Sequence, residues 1–377
     1  MDGVAAQGGP GGGAGGRARV YRTLRSAHLE QALQLAPALV VHRQRRYDFD
    51  ETLAARLDVV QAGPWAAALL LLRRGVRQVE VNEPLMRGAV RDTARTVAAL
   101  RLVGALTGRR VQVVAYGIEN LDPYAAPLPS PRWRAAAARD LDRRLSRFVW
   151  RRLDRFASGT AAARDLYAAT LPATRAAQRL VPAVPAPCDC PPQDRPAGRV
   201  LFLGAFSERK GFADLRRAWP GVTATCPHAR LQLVGQGAML AEAERWAAQD
   251  PTVELLLDPP RTRVHEELRR AAVLVLPSRR TVRWREQVGR PLVEGLAHGC
   301  TVVTTTETGL APWLAEHGHT VLAPDRVDPP ADGLTTALAD AVRAGRSAAA
   351  VLADLPVRDG RLAADDWLFE DAGLTRG

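Results

Sequence analysis

The chain has 52 lysine and arginine residues, and only one of them is a lysine. That residue, Lys210, stands in the run Leu203-Gly204-Ala205-Phe206-Ser207-Glu208-Arg209-Lys210-Gly211, just after a glycine turn. An ammonium is a mobile point charge, whereas a guanidinium is a planar fork. A point charge beside free backbone N–H groups suits a diphosphate. The competing explanation is compositional: an Arg- and Ala-rich chain has lost lysine everywhere else, and this one has no role. A second segment, Leu233-Val234-Gly235-Gln236-Gly237-Ala238, either lets backbone approach a ligand or simply makes a tight turn.

The third segment is Glu286-Gln287-Val288-Gly289-Arg290-Pro291-Leu292-Val293-Glu294. Proline suits a first helical turn, so a helix is expected to open near Arg290–Pro291. Free N–H groups around Val288–Arg290 can then hold phosphate or a developing negative charge. Glu286, in the loop before the helix, can reach sugar hydroxyls. Glu294, about one turn in, can accept hydrogen bonds from a ribose. Two ordinary exposed carboxylates flanking a helix start are the alternative.

These segments need strands and helices to position them. Short apolar runs alternate with longer Ala/Leu/Arg helical patterns from about Arg19 onward. The expected strands in the first half are Ala38–His42, Asp58–Ala62, Gln78–Asn82, Val111–Ala115 and Arg155–Gly159, with a short first strand at Val20–Leu24. Helical patterns cover Arg87–Leu106 and Ser130–Leu153. In the second half, strands are expected at Arg199–Leu203, Arg230–Val234, Thr252–Leu256, Ala272–Pro277 and Thr301–Thr305. Helices are expected at Asp214–Thr223, Leu240–Gln249, Val264–Ala271 and Leu292–His298, with a final helical region over Gly333–Leu352. This alternation implies parallel sheets.

Residues 181–198 contain six prolines and read as a linker. The expected organisation is a Gly-rich disordered tail over 1–18, a first domain over 19–180, the linker, a second domain over 199–350, and a C-terminal helix and tail over 351–377. The fold class is α/β: two Rossmann-like, doubly wound parallel-sheet domains facing a cleft. In such folds ligands bind beyond the carboxyl ends of the strands, here between the domains.

The 377 residues suffice for two cores, and a hydrophobic fraction of 47% with 24% charged is that of a globular chain. A net charge of +12 favours anionic partners. No RNP-like aromatic cluster or basic recognition helix is visible, so nucleic acid is not expected. The four cysteines are too few for a disulfide scaffold, and no His/Asp/Cys run has metal-ligand spacing, so neither metal nor cofactor is expected. The longest apolar run, Trp65 to Leu72, is well short of the roughly 20 residues of a spanning helix. The first 18 residues lack the apolar core of a signal peptide, and a cytoplasmic location is expected.

The linear order of strand–Gly…Lys-Gly, Val-Gly-x-Gly, Leu276-Pro277-Ser278, Glu-x7-Glu and Gly-x-Thr-Val-Val resembles family 4 glycosyltransferases of the GT-B fold, over roughly residues 199–325. The resemblance implies transfer of a sugar from a nucleotide diphosphosugar, with retention and without a metal ion. It implies that Lys210 neutralises the diphosphate, Glu286 contacts the donor sugar and Glu294 the ribose. Gly289 and Arg290 would sit near the sugar and phosphates, and Ser278 would line the nucleotide pocket. Gly204, Gly235, Gly237 and Val288 complete the expected donor site. Electrostatic stabilisation of the leaving diphosphate would be the principal catalytic effect. Two features depart from the family. Its usual loop arginine is replaced by Ala205 or Phe206, which leaves Arg209 or Arg290 to supply a second cation. Its acidic position after Gly309 is missing.

The first domain would bind the acceptor. Glu119 and Asn120, after the strand Val111–Ala115, are acceptor-site candidates or simply a helix cap and turn. Glu119 joins Lys210, Glu286 and Arg209 as the expected catalytic set. Along Pro131–Phe156, Arg139, Arg143, Arg144, Arg147, Arg151 and Arg155 fall on one arc. Leu141, Leu145, Phe148, Val149, Leu153 and Phe156 fall on the other, with Trp133 and Trp150 toward the basic side. Such a helix can rest on anionic lipid at the inner membrane face, or it is a solvated basic face over a buried stripe. The function expected is a hexosyltransferase-type enzyme of polysaccharide or glycoconjugate assembly acting on a glycan or lipid-linked acceptor. The alternative is a catalytically weak GT-B-like subunit that binds a nucleotide sugar or scaffolds a partner. A sugar-nucleotide epimerase would need a carboxylate/His set that is not visible.

Overall fold

The computed structural model describes residues 16–47, 49–191, 193–326 and 333–370. Residues 1–15, most of the expected N-terminal tail, and 371–377, the end of the expected C-terminal segment, lie outside the described residues.

The first half alternates β1 (Arg17–Leu24), α1 (Ser26–Gln34), β2 (Leu39–Arg45), α2 (Glu51–Ala54), β3 (Val59–Gln61), α3 (Pro64–Arg73), β4 (Gln78–Val81), α4 (Val90–Thr107), β5 (Gln112–Gly117), α5 (Arg132–Trp150), β6 (Arg155–Ser158), α6 (Ala161–Thr170) and β7 (Ala177–Leu180). Its seven parallel strands run in the order β3-β2-β1-β4-β5-β6-β7. Arg17 and Ala18, expected in the tail, instead open the central strand β1, where Ala18 is fully buried.

The second half follows with β8 (Arg199–Leu203), α7 (Phe212–Thr225), β9 (Arg230–Val234), α8 (Leu240–Gln249), β10 (Val253–Leu256), α9 (Arg261–Arg270), β11 (Val273–Leu276), α10 (Arg290–Ala297), β12 (Thr301–Thr305), α11 (Ala311–Glu316), β13 (Thr320–Leu322), α12 (Leu334–Ala344), α13 (Ala348–Ala353) and α14 (Gly360–Leu368). Six parallel strands run β10-β9-β8-β11-β12-β13. The runs RVLFL, VLVL and TVVTT are almost wholly buried. Helices cover both faces of such a sheet, so its central strands read as near-continuous apolar runs. The core on these strands includes Phe202, Phe206, Phe212 and Trp219.

Each sheet reverses its winding beside its first strand, between β1 and β4 and between β8 and β11. A crevice opens at such a reversal, at the carboxyl ends of the strands. The loops after β8 and β11 carry Lys210 and Ser278, so topology alone brings these residues to one place.

Three expectations about helices need correction. The single helical region over 333–352 is two helices, α12 and α13, separated at Gly345–Ser347; Ser347 Oγ caps α13 by accepting from the Ala350 amide at 3.2 Å. The C-terminal segment does not form one appendage. Val351 of α13 joins the second core, while α14 returns to the first sheet, where Ala364, Leu368 and Phe369 pack with Val114 and Ala157. In α5, Trp150 is 2% exposed and its indole N–H donates to the Pro172 carbonyl at 2.7 Å, so it belongs to the core and not to the basic face. Leu141 is exposed instead of buried, and Arg155 lies on β6. No helix among the described residues is long and apolar enough to cross a membrane.

Candidate active site

The loop after β8 begins at Gly204, whose amide donates to the Val234 carbonyl at 2.9 Å. Phe206 N donates to Gln236 O at 2.9 Å and Met239 N to Phe206 O at 3.0 Å, knitting this loop to the one after β9. A Cβ on Gly235 would lie 2.0 Å from the Gly204 oxygen, and one on Gly237 would lie 2.4 Å from the Phe206 oxygen. The close approach these two glycines permit is therefore between two loops. Phe206 is fully buried among Phe202 and Phe212, which explains why a polar cation does not stand there.

The chain then makes a 3-10 turn over Glu208–Lys210 and leaves it through Gly211, at φ +71°. A Cβ on Gly211 would meet the Pro277 oxygen at 2.1 Å, so the loop is pressed against the end of β11. Arg209 O accepts from the Arg279 amide at 3.0 Å. These contacts carry Lys210 into the crevice, where it is buried and forms an ion pair with the Glu286 carboxylate. Glu286 Oε2 also accepts from Ser278 Oγ at 3.1 Å. The Trp284 ring lies beneath both cations, with Arg209 at 4.5 Å and the Lys210 ammonium at 5.1 Å from its centroid.

The loop carrying Glu286 is held from two sides. Gly309 N donates to the carbonyls of Glu286 (3.1 Å) and Gln287 (3.0 Å), and Thr308 Oγ1 donates to Val288 O at 3.2 Å. From the first domain, Asn120 Nδ2 donates to Glu286 O at 2.7 Å, and Gln287 Nε2 donates to Glu119 Oε2 at 3.1 Å. Asn120 Oδ1 is buried and has no hydrogen-bond partner among the described residues. Residues 118–121 form an irregular loop from which no helix starts; the next helix is α5. Glu119 Oε1 accepts from the amides of Asn120 and Leu121, both at 3.2 Å. Burial raises the Glu119 carboxyl above its ordinary range.

Beneath this turn sits Glu83, at the end of β4, whose Oε2 accepts from the Ile118 and Glu119 amides (3.0 Å each) and from the Tyr167 hydroxyl (2.9 Å). Burial, and then the Glu119 charge, push the Glu83 carboxyl up to about 7. The sequence marks Glu83 only as a strand-end residue before Pro84, and it gives no reason to single out Trp284. The sole local signal for Trp284 is its place two residues before Glu286.

Helix α10 opens as the proline predicts, after Gly289 at φ +81°. Its other expected ligands have partners outside the Lys210 contact set. Glu294 is paired with Arg261 at 2.8 Å. Arg290 reaches Glu30 of α1 at 3.3 Å, across to the first domain. Lys210, Ser278 and Glu286 thus form one contact set, with Arg209 joined through Trp284 and Glu119 through Gln287.

Residues 197–344 match the family model described as glycosyl transferases group 1. The second domain is a glycosyltransferase group 1 domain, and the two-domain fold is GT-B. The fold is similar to that of the apo lipopolysaccharide outer core galactosyltransferase WaaB (TM-score 0.59, 11% identity, 93% of this chain and 98% of that one). It is also similar to Anabaena HepE in complex with UDP (TM-score 0.61, 12% identity, 94% and 95% covered). A third similar structure is the α,α-trehalose 6-phosphate synthase from Burkholderia multivorans (TM-score 0.57, 13% identity, 93% and 97% covered). No curated protein matches the chain in sequence.

Proposed function

We propose that the protein is a retaining glycosyltransferase that moves a sugar from a nucleotide diphosphosugar to a glycan or lipid-linked acceptor, with no metal ion at the reacting centre. The observation that carries this reading is the Lys210–Ser278–Glu286 contact set at the winding reversal of the second sheet, faced by Glu119 and Asn120 of the first domain. A diphosphate is a stronger partner for Lys210 than a single carboxylate. On donor binding the ammonium turns to the diphosphate, and Glu286 is released to accept from a sugar hydroxyl. As the bond between the anomeric carbon and the phosphate oxygen breaks, negative charge grows on the leaving diphosphate. Lys210 and the first-turn N–H groups of α10 oppose that charge.

The unpartnered Asn120 Oδ1 supports an acceptor hydroxyl beside the donor. One similar fold, Anabaena HepE, is found both with UDP and with UDP and glucose, which supports a uridine-type donor. The similarity to a lipopolysaccharide galactosyltransferase supports a role in polysaccharide assembly. Placement at an anionic membrane face rests on the solvent side of α5, where Trp133 is 69% exposed. Liposome flotation tests that placement, and salt-insensitive failure to bind would remove it.

The main test is a thermal-shift panel of nucleoside diphosphates and their sugars, followed by product analysis without added divalent cation. Stabilisation by one nucleotide sugar and a product of unchanged anomeric configuration are expected. Stabilisation with neither hydrolysis nor transfer would favour a binding subunit, and no stabilisation by any member would overturn the reading.

A further inference from the structure

Cys188 and Cys190 lie in the linker, His265 on α9 and His298 just past α10. Cys190 and His265 are 75 positions apart, and the two histidines 33. The fold nevertheless gathers one ligand atom of each within 4.8 Å of all the others. The two Sγ atoms are 2.9 Å apart, and His265 Nδ1 lies 3.9 Å from Cys188 Sγ and 3.5 Å from Cys190 Sγ. His265 Nδ1 and His298 Nε2 are separated by 3.1 Å. A tetrahedral zinc, with bonds of about 2.3 Å to sulfur and about 2.0–2.1 Å to nitrogen, holds its ligand atoms roughly 3.4–3.8 Å apart. The observed separations bracket that spacing.

A second observation concerns the proton on His298. Its Nδ1 lies 2.7 Å from the Glu294 carbonyl oxygen. A carbonyl oxygen only accepts, so Nδ1 carries the hydrogen and Nε2 turns its lone pair toward the two thiols and His265. A backbone carbonyl that fixes the tautomer in this way is the usual support of a metal-binding histidine. The linker is also seated for the task. Cys188 N donates to Ala297 O at 2.8 Å, and Arg195 binds the carbonyls of His298 and Gly299 at 2.5 and 2.7 Å. In an extended run, residues i and i+2 project to the same side, which aims both thiols at the histidines.

We propose that Cys188, Cys190, His265 and His298 bind a structural zinc ion that fastens the interdomain linker to α9 and α10. Two thiolates and two imidazoles are a donor set suited to zinc, and four protein ligands leave no open position for substrate. The four ligands are dispersed in sequence, so no metal-ligand spacing is visible there. The ion sits at the far end of α10, which at 1.5 Å per residue is roughly 12 Å from the helix start at the cleft. It therefore takes no part in sugar transfer. It braces the helix whose Glu294 pairs with Arg261, a residue one turn before His265 on α9. The inference holds whether or not the protein transfers a sugar.

The test uses the full chain, purified anaerobically, with metal measured by mass spectrometry and cobalt substituted for zinc. One zinc per chain, tetrahedral Co2+ bands in the visible and a thiolate-to-cobalt charge-transfer band are expected. Cys190→Ser and His298→Ala should lower zinc occupancy about tenfold or more, with far-ultraviolet dichroism confirming that they fold. If either fails to fold, alkylation of the wild-type thiols decides: zinc should protect both, and a chelator should expose both. A reduced wild-type chain that takes up no zinc, thiols alkylated equally with and without zinc, or a Cys188–Cys190 disulfide in the anaerobic protein would each overturn the proposal.

Discussion

Lys210 and Glu286 form an ion pair across 76 positions of sequence, between the loop after the first strand of the second sheet and the loop that opens α10. The chain's one ammonium therefore has a carboxylate partner before any substrate arrives. Lys210→Ala should abolish measurable nucleoside diphosphate binding by calorimetry and lower kcat/KM about 10²–10³-fold. Lys210→Arg keeps the charge but not its compact shape, so binding should survive while kcat falls. Equal kcat for Lys210→Arg and wild type would separate Lys210 from the transition state.

Glu83 sets a pH dependence of stability. Between its ordinary value of 4.5 and about 7, the folded chain holds a proton on Glu83 that the unfolded chain has released. Stability therefore falls as pH rises through that window and levels off above about 7. The shift corresponds to about 3 kcal/mol. Glu83→Gln keeps a carbonyl acceptor for the amides of Ile118 and Glu119 and removes the titration. Its Tm should exceed that of wild type at pH 8 and show a flatter slope between pH 5 and 7.

Gly309 is a site where one methyl group should be felt. A Cβ there would lie 2.0 Å from the Gln287 carbonyl oxygen, which would force the loop carrying Glu286 to shift. Gly309→Ala should cost about 1–3 kcal/mol in denaturant unfolding. It should also weaken donor binding, because the displaced loop carries Glu286 and the start of α10.

Asn120→Asp replaces the amide that donates to the Glu286 carbonyl with a carboxylate. The structure should remain folded, because the Gly309 amide still donates to that carbonyl, while turnover drops about tenfold or more, since a lost buried hydrogen bond with two acceptors face to face costs about 1–3 kcal/mol. Donor affinity in the absence of acceptor should change much less than kcat, and a thermal-shift titration beside initial rates separates the two.

Arg361 and Asp365 of α14 complete a buried four-charge cluster with Arg19 and Glu80. Arg361 binds both Glu80 oxygens at 2.6 and 2.8 Å, and Arg19 binds both Asp365 oxygens at 2.7 and 2.8 Å. Arg361→Ala leaves Glu80 with only the more distant Arg19 Nε, at 3.4 Å, and should cost up to about 3–5 kcal/mol. A chain ended before α14 should lose the cooperative unfolding of the first domain.

The same cluster shows where sequence reading stops. The segment with Asp365 and Trp367 looks like an acidic-aromatic tail, because its charges read as solvated; their partners are some 280 to 350 positions upstream. The central strands of the second sheet were legible because burial on both faces demands β-branched runs such as Thr301–Thr305. β7, with three of its four residues exposed, carries no such signal. At the site, Gly289 and Pro291 mark the helix start correctly. Lys210 and Glu286 were legible as separate ligand groups, but their pairing depends on strand order, which local spacing does not encode. The same applies to Glu83, whose buried carboxylate meets Tyr167 of α6 and the amides of Ile118 and Glu119.

The chain passes between its two halves once through the linker and again ahead of α14. At Gly360 these passages touch: its amide donates to Val184 O at 2.9 Å, and a Cβ there would lie 1.9 Å from Pro182 O. Two connections stitched at one point behave like a door hung on a single pin. Both covalent crossings between the halves therefore lie at one place, and the contacts of Asn120 and Glu119 with the loop carrying Glu286 hold the halves together at a second.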